Sequence, residues 1–162
     1  MAVRLTDLIA ATFWVVWNAI KLGEYTHYWL KGGRSSGKSS FISLAIVLLI
    51  MLDPEANAIC FRKVGDTLRE SVYEQICWAI SMLGVEDYFT CTTSPMVITY
   101  RPTGQKILFR GLDKADKTKS IKLRKGFFKI AWWEELAEFA GMEEVRKSQQ
   151  SVMRGGKGFI YF

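Results

Sequence analysis

Histidine is almost missing from this chain: His27 is the single one among 162 residues. One imidazole leaves no material for a histidine-built metal cluster or a histidine-based nucleophilic triad, so a structural role is expected for His27. Cysteine is scarce too. Cys60, Cys77 and Cys91 are odd in number and widely spaced, which fits neither a disulfide framework nor a Cys-x-x-Cys metal site and points to a reducing compartment. Acidic residues are outnumbered, 16 against 22 basic ones, for a formal net charge of +6. Such a surplus favours an anionic partner, most commonly nucleic acid. Long hydrophobic runs are also lacking. The apolar stretch that ends at Ile20 carries Asp7 and Asn18, and no small-residue cleavage pattern follows it, which argues against a leader or an anchor. Phe41 to Leu52 is about a dozen residues, too short for a bilayer and suited to a buried helix. A soluble protein with no membrane contact is expected. There is no internal repeat and no low-complexity tract. With 49% apolar and 23% charged residues, the chain is globular rather than disordered, and its length suits one domain with a real core.

What is present begins with Gly32-Gly33-Arg34-Ser35-Ser36-Gly37-Lys38-Ser39, an ungapped match to G-x-x-x-x-G-K-[ST], the phosphate-binding loop or Walker A motif. Its glycines allow successive N–H groups to turn inward on an anion. Lys38 brings a point charge for the β and γ phosphates, and the Ser39 hydroxyl is placed to ligate Mg²⁺. The flanks have the required texture: His27 to Lys31 is a short strand-like run, and Ser40 to Leu52 an unbroken helical one. The N–H groups and dipole at the start of that helix favour phosphate.

Around the loop the periodicity predicts alternating elements. Leu5, Leu8, Ile9, Phe13, Val16, Trp17 and Ile20 recur at helical spacing, predicting one amphipathic helix over the first twenty residues that stops at Gly23. Asp53-Pro54 ends the helix after the loop. Ala58 to Arg62 is a strand, and Asp66 to Leu83 a helix with Asp66 as cap and Gly84 as stop. Strand, helix, strand, helix is the signature of a parallel α/β sheet. Val97 to Tyr100 and Lys106 to Arg110, joined by a Pro/Gly connection, predict a hairpin inserted at the sheet edge. Asp113 to Lys125 holds Lys114, Lys117, Lys119, Lys122, Arg124 and Lys125 against only two aspartates; it is either a solvated loop or a contact to DNA phosphates or to nucleotide on a neighbouring subunit. Phe127 to Trp133 is a core strand, Glu143 to Val152 a polar helix, and Phe159 to Phe162 a last strand.

The core strand ends in Glu134-Glu135, and the carboxyl ends of strands are where an open α/β sheet places ligand chemistry. Hydrolysis of a nucleotide requires a carboxylate for Mg²⁺ and a group that orients the attacking water. Glu134 is assigned to the metal and Glu135 to the water. Adjacent strand residues point to opposite faces, so both reach one site only through a turn. The alternative is a pair of exposed glutamates opening a helix on its dipole. Arg34 either lies along the γ-phosphate as an arginine finger supplied in cis or pairs with Glu134 or Glu135. Glu86-Asp87 and Glu143-Glu144 follow no apolar strand and are expected on the surface. Phe13, Trp17 and Tyr28 are candidates for contact with the base.

Taken in order, the loop at Gly32 to Ser39, Phe61-Arg62-Lys63-Val64 with Thr67 to Val72, Phe109-Arg110-Gly111-Leu112-Asp113, Lys119 to Lys122, Trp132-Trp133-Glu134-Glu135 and Arg154-Gly155-Gly156 resemble the PBSX-type large terminase subunit of tailed bacteriophages, from about Phe13 to Phe162. The resemblance implies a P-loop NTPase fold of the strand-inserted type with an additional catalytic glutamate, its mainly parallel sheet flanked by helices. It implies an ATP- and Mg²⁺-dependent DNA-packaging ATPase. The site would comprise Gly32, Gly33, Arg34, Ser35, Ser36, Gly37, Lys38, Ser39 and Ser40 around the nucleotide, with Ser39 and Glu134 on the metal and Glu135, Lys38 and Arg34 catalytic. Double-stranded DNA, a small terminase subunit and a portal protein are the partners it implies, with a homo-oligomeric ring working in the host cytoplasm. The family pattern continues with a coupling motif and a nuclease domain, so residues 1–162 are expected to be one ATPase domain, C-terminally incomplete and without nuclease activity. A helicase- or recombinase-like ATPase, or a nucleotide- or DNA-binding module without turnover, are the alternatives.

Overall fold

Period-2 alternation along the strands sorts the apolar residues into two layers on opposite faces of one sheet. The computed structural model describes residues 3–113 and 121–162. The chain enters through two short helices, α1 (Leu5–Leu8) and α2 (Thr12–Leu22), before the helix α3 (Lys38–Leu52) and the strand β1 (Ala56–Arg62). Then come α4 (Glu74–Met82), the strands β2 (Phe89–Thr93), β3 (Met96–Tyr100), β4 (Lys106–Gly111) and β5 (Phe127–Trp133), the helix α5 (Met142–Val152) and β6 (Ile160–Tyr161). The six strands form one sheet in the order β2-β3-β4-β1-β5-β6. β1 runs parallel to both β4 and β5, and β5 runs parallel to β6. β3 is antiparallel to β2 and to β4, so the predicted hairpin is an edge insertion. No described helix is long and apolar enough to cross a membrane.

On one face, Ala58, Cys60, Ile107, Phe109, Ile130, Trp132 and Ile160 pack with α2, α3 and α4. On the other, Ile59, Phe61, Leu108, Ala131, Trp133 and Tyr161 meet Phe139 and the α5 residues Val145 and Val152. Helix α3 is fully buried at Phe41, Leu44, Ala45, Ile46, Val47 and Ile50, as its all-round apolar sequence requires. Its C-terminal carbonyls are met by buried Gln105, whose Nε2 donates to the oxygens of Ile50 (2.7 Å), Asp53 and Ala56 (2.9 Å).

Several elements differ from expectation. The N-terminal helix is two helices, because Ile9 takes an extended conformation (φ −120°, ψ 152°) while the apolar spacing continues across the break. The predicted helix over 66–83 starts as a 3-10 turn (Gly65–Thr67) and a π turn (Arg69–Tyr73) before α4. Asp66 does not cap it; the Gly65 N–H is instead taken by Asp113 Oδ1 at 3.1 Å, a residue distant in sequence. The run His27 to Lys31 pairs only at His27, which bridges Tyr161 in parallel, with Tyr28 N donating to Tyr161 O at 2.8 Å. Pairing stops there because the β6 ladder extends no further. Strand β2, a threonine-rich run, was not predicted, and it forms the sheet edge. α3 opens at Lys38 rather than at Ser40.

Candidate nucleotide site

The loop at 32–37 joins the extended segment beside β6 to α3. Gly37 has φ 77° and precedes the first helical residue, Lys38. Ser35 also has positive φ, 59°, without a glycine's freedom. The loop closes on the side chain of Lys38, whose Nζ donates to Gly32 O (2.7 Å), Gly33 O (3.0 Å) and Ser36 Oγ (2.7 Å). An ammonium has three donors, and all three are engaged by the loop. A Cβ at Gly32 would lie 3.0 Å from Ser36 Oγ and 3.5 Å from that ammonium, so the cradle is cut to a glycine's size. Ser39 and Ser40 are half-buried on the first turn of α3. Phe13 of α2 backs the loop, stacked on Phe41 of α3 with ring centroids 4.8 Å apart and planes at 6°. Phe13, Trp17 and Tyr28 are buried core residues, which leaves them little surface for contact with a base. The exposed aromatics nearby in sequence are Trp14, Tyr25 and Trp29.

The glutamate pair sits at the carboxyl end of β5, one strand removed from the segment that feeds the loop: β6 lies between them. Two strand spacings put those backbones about 10 Å apart. By alternation Glu134 follows Trp132, on the sheet face that carries α3. Its side chain is 14% exposed. Arg62, at the end of neighbouring β1, approaches it with Nε 3.8 Å from Oε2, and reaches Glu138 at 3.9 Å. Those separations exceed hydrogen-bond length, and both Arg62 Nε and Glu134 Oε2 are buried with no hydrogen-bond partner. Burial therefore dominates and holds the Glu134 carboxyl above the usual range, with Glu135 and Glu138 adding to it and Arg62 opposing. Glu135 is exposed, at φ 54°, and opens a 3-10 turn (Leu136–Glu138). The strand thus ends in a turn that leaves Glu134 largely buried and Glu135 exposed at the head of a short helix.

Expectation and structure part at two further places. Arg34 forms no ion pair with Glu134 or Glu135; among the described residues the cation beside Glu134 is Arg62. Glu144 is not a free surface acid but pairs with Lys63 at the end of β1 and accepts from Ala140 N at 2.7 Å. The basic segment is described only at its ends, with 114–120 outside the described residues. Asp113 N donates to Lys63 O at 3.0 Å, and Lys125 O accepts from the buried Asn57 Nδ2 at 3.0 Å. Among the described residues no three His, Cys, Asp or Glu side chains form a metal cluster.

A family model described as phage terminase large subunit matches residues 24–156. The chain belongs to that family. The terminase large subunit of Bacillus phage SPP1 is 42% identical over 99% of this chain and 39% of its own length. The PBSX phage terminase large subunit of Bacillus subtilis (strain 168) is 31% identical over 75% of this chain and 27% of its own. This terminase chain therefore spans under two fifths of these relatives. Among solved structures it is similar to the large terminase of a thermophilic bacteriophage, with TM-score 0.61 and 17% identity over 80% of this chain and 31% of that one. The HK97 bacteriophage large terminase follows, with TM-score 0.60 and 12% identity over 90% and 31%. At such identities the likeness is one of fold, that of a P-loop NTPase, here with β6 inserted between β5 and the segment that enters the loop.

Arg62 was not singled out by sequence reasoning as a site residue of this terminase chain. Its only local signal is a cation ending an apolar strand. Its adjacency to Glu134 follows from β1 and β5 being neighbours in the sheet.

Proposed function

We propose that this chain is the ATP-binding and ATP-hydrolysing part of a terminase large subunit that drives double-stranded DNA into a viral procapsid. The observation that supports it most is the loop closed on Lys38 at the head of α3, with the buried carboxylate of Glu134 on the same face of the sheet. Gly32, Gly33, Arg34, Ser35, Ser36, Gly37, Lys38, Ser39 and Ser40 surround the phosphates. Lys38 trades its loop carbonyls for phosphate oxygens, which are stronger acceptors because they are charged. Arg34 meets the charge developing on the γ-phosphoryl group, and Glu135 orients the attacking water.

The donor set suits Mg²⁺. It is a hard ion that prefers oxygen and is held by one or two protein ligands with phosphates and water completing its shell. The Ser39 hydroxyl and the orphaned Glu134 Oε2 are such ligands, and the lack of a larger acidic cluster among the described residues is compatible with it. When bound, the metal supplies charge neutralisation on the β and γ phosphates. Duplex DNA, a small terminase subunit and a portal are the partners in this reading, with the large subunit forming a ring in the host cytoplasm. Residues 1–162 then form one ATPase domain of a longer machine.

The test is DNA-stimulated phosphate release by this chain joined to the remainder that its relatives carry. Lys38→Ala should lower the rate roughly a thousand-fold or more, the scale of losing charge stabilisation at a transferring phosphoryl group. An unchanged rate sinks the assignment. The alternative reading is a nucleotide-binding module without turnover. It expects calorimetric nucleotide binding but no phosphate release from either form.

A further inference from the structure

Strand register sets Arg62 and Glu134 side by side. Cys60 pairs with Trp132 and Phe61 with Trp133 in the parallel β1-β5 ladder, and the Glu134 N–H donates to Phe61 O at 3.0 Å. The next residue of each strand therefore lies on the face that carries α3. There the Arg62 guanidinium faces two carboxylates at nearly equal range. Its Nε is 3.8 Å from Glu134 Oε2 and its Nη2 is 3.9 Å from Glu138 Oε1, while Nη1 donates to Thr67 O at 3.4 Å. The Arg62 and Glu134 side chains are 19% and 14% exposed, against 46% for Glu138. A guanidinium–carboxylate pair normally closes to about 2.7–2.9 Å, and a buried polar atom without a partner is costly. Among the described residues, Arg62 Nε and Glu134 Oε2 are both buried and both lack one. The cation is close enough to neutralise either acid and is committed to neither.

We propose, resting on the assignment of Glu134 to the metal, that Arg62 is a positioning residue for Glu134, a guanidinium that passes from Glu134 to Glu138 when nucleotide binds with Mg²⁺. Before binding, Arg62 supplies the opposite charge that a carboxylate buried at the end of β5 requires. Glu134 Oε2 cannot serve a guanidinium and a metal at once, so Glu134 takes up its ligand position only as Arg62 withdraws. A cation left unpaired beside the metal opposes binding, because like charges repel at short range. Glu138 removes that obstacle. It closes the 3-10 turn (Leu136–Glu138) that follows the two glutamates, and its greater exposure leaves it free to adjust. A movement of about 1 Å brings it to hydrogen-bond length from the guanidinium. The planar fork of arginine, with five donors, can hold both carboxylates during the transfer, which the point charge of a lysine cannot.

The experiment is calorimetry of adenylyl imidodiphosphate, an ATP analogue that resists turnover, binding to the chain with Mg²⁺ or with EDTA in its place. Glu138→Gln should weaken binding with Mg²⁺ about tenfold, the low end for a residue that orients a metal ligand, and should not weaken binding in EDTA. Arg62→Gln removes the cation to be moved, so adding Glu138→Gln to it should change binding with Mg²⁺ by less than about twofold. The comparison of Glu138→Gln with and without Mg²⁺ stands even where Arg62→Gln unfolds the chain, because the Glu138 side chain lies at the surface. No weakening by Glu138→Gln, equal weakening in both buffers, or an effect that persists in Arg62→Gln overturns the exchange. Lys38→Ala separates this from the reading of the site. Loss of binding in both buffers keeps the loop as the nucleotide site whatever Glu138 does, whereas an unsubstituted chain that binds no analogue overturns the site and the exchange together.

Discussion

Ser35 and Glu135 are the two non-glycine residues with positive φ among the described ones, and both fall in the proposed nucleotide site. Left-handed backbone is sterically unfavourable for an L residue by about 1–2 kcal/mol, and such strain concentrates where function requires a particular aim. Glu135→Gly relieves it, offset in part by the greater freedom of glycine in the unfolded chain. Chemical denaturation should show stability unchanged or raised by up to about 1 kcal/mol, while DNA-stimulated turnover by the completed protein falls. A clear loss of stability would mean that the glutamate side chain itself holds the turn. Glu134 makes a second prediction at this scale. Its folded pKa lies above its unfolded one, so as pH rises between the two the unfolded state loses a proton that the folded state keeps. Stability therefore falls with rising pH across that window, above the ordinary carboxylate value of about 4.3. Denaturant titrations of Glu134→Gln should lack this fall. Nucleotide binding with Mg²⁺ has the opposite sign, strengthening as the carboxyl ionises.

α3 is held from all sides. Phe41 is completely buried and carries the stack against Phe13 that backs the phosphate loop. Phe41→Ala should lower the unfolding free energy by about 3–5 kcal/mol, the range for deleting a buried aromatic ring, and weaken nucleotide binding with it because the head of α3 loses its support. Phe41→Leu should restore most of both. The start of β5 is equally constrained: Gly126 has φ 67°, and a Cβ there would lie 2.0 Å from the carbonyl oxygen of Glu55. Gly126→Ala is both strained and clashing, so a destabilisation of roughly 2–4 kcal/mol is expected in the same assay. The neighbouring Asn57 shows how one buried amide joins elements. Its Oδ1 accepts from Lys106 N at 2.8 Å on β4, while its Nδ2 donates to the Lys125 carbonyl that ends the basic segment.

At the scale of the molecule, the phosphate loop and the glutamates lie toward the β5-β6 side of the sheet, and the β2-β3 hairpin lies at the opposite edge. The net charge of +6 belongs to the whole chain, and DNA is its proposed partner. Binding of duplex DNA by the completed protein should then weaken linearly on a log–log plot against salt. Replacing Lys117, Lys119, Lys122 and Lys125 together by alanine should reduce that slope by about 3 to 4, if each contacts one phosphate. An unchanged slope would return the segment to the role of a solvated loop.

The composition, the phosphate loop, the buried helix after it and the apolar strand ending in two glutamates were all legible in the amino-acid sequence, because each is written in consecutive residues whose period or spacing has one physical meaning. Gly32 to Ser39 is a motif, and Phe127 to Glu135 a strand with an abrupt polar end. What depended on tertiary structure joins residues far apart in the chain. Arg62 meets Glu134 only because β1 and β5 are hydrogen-bonded neighbours. Asp113 holds the turn that Asp66 was expected to cap. The break at Ile9 and the left-handed turn at Glu135 are backbone events that side-chain periodicity does not record. The sequence by itself determined which groups can bind phosphate, since that chemistry is local to one loop. Only the folded sheet decided which acid is buried beside which cation, since that pairing arises from strand order and register.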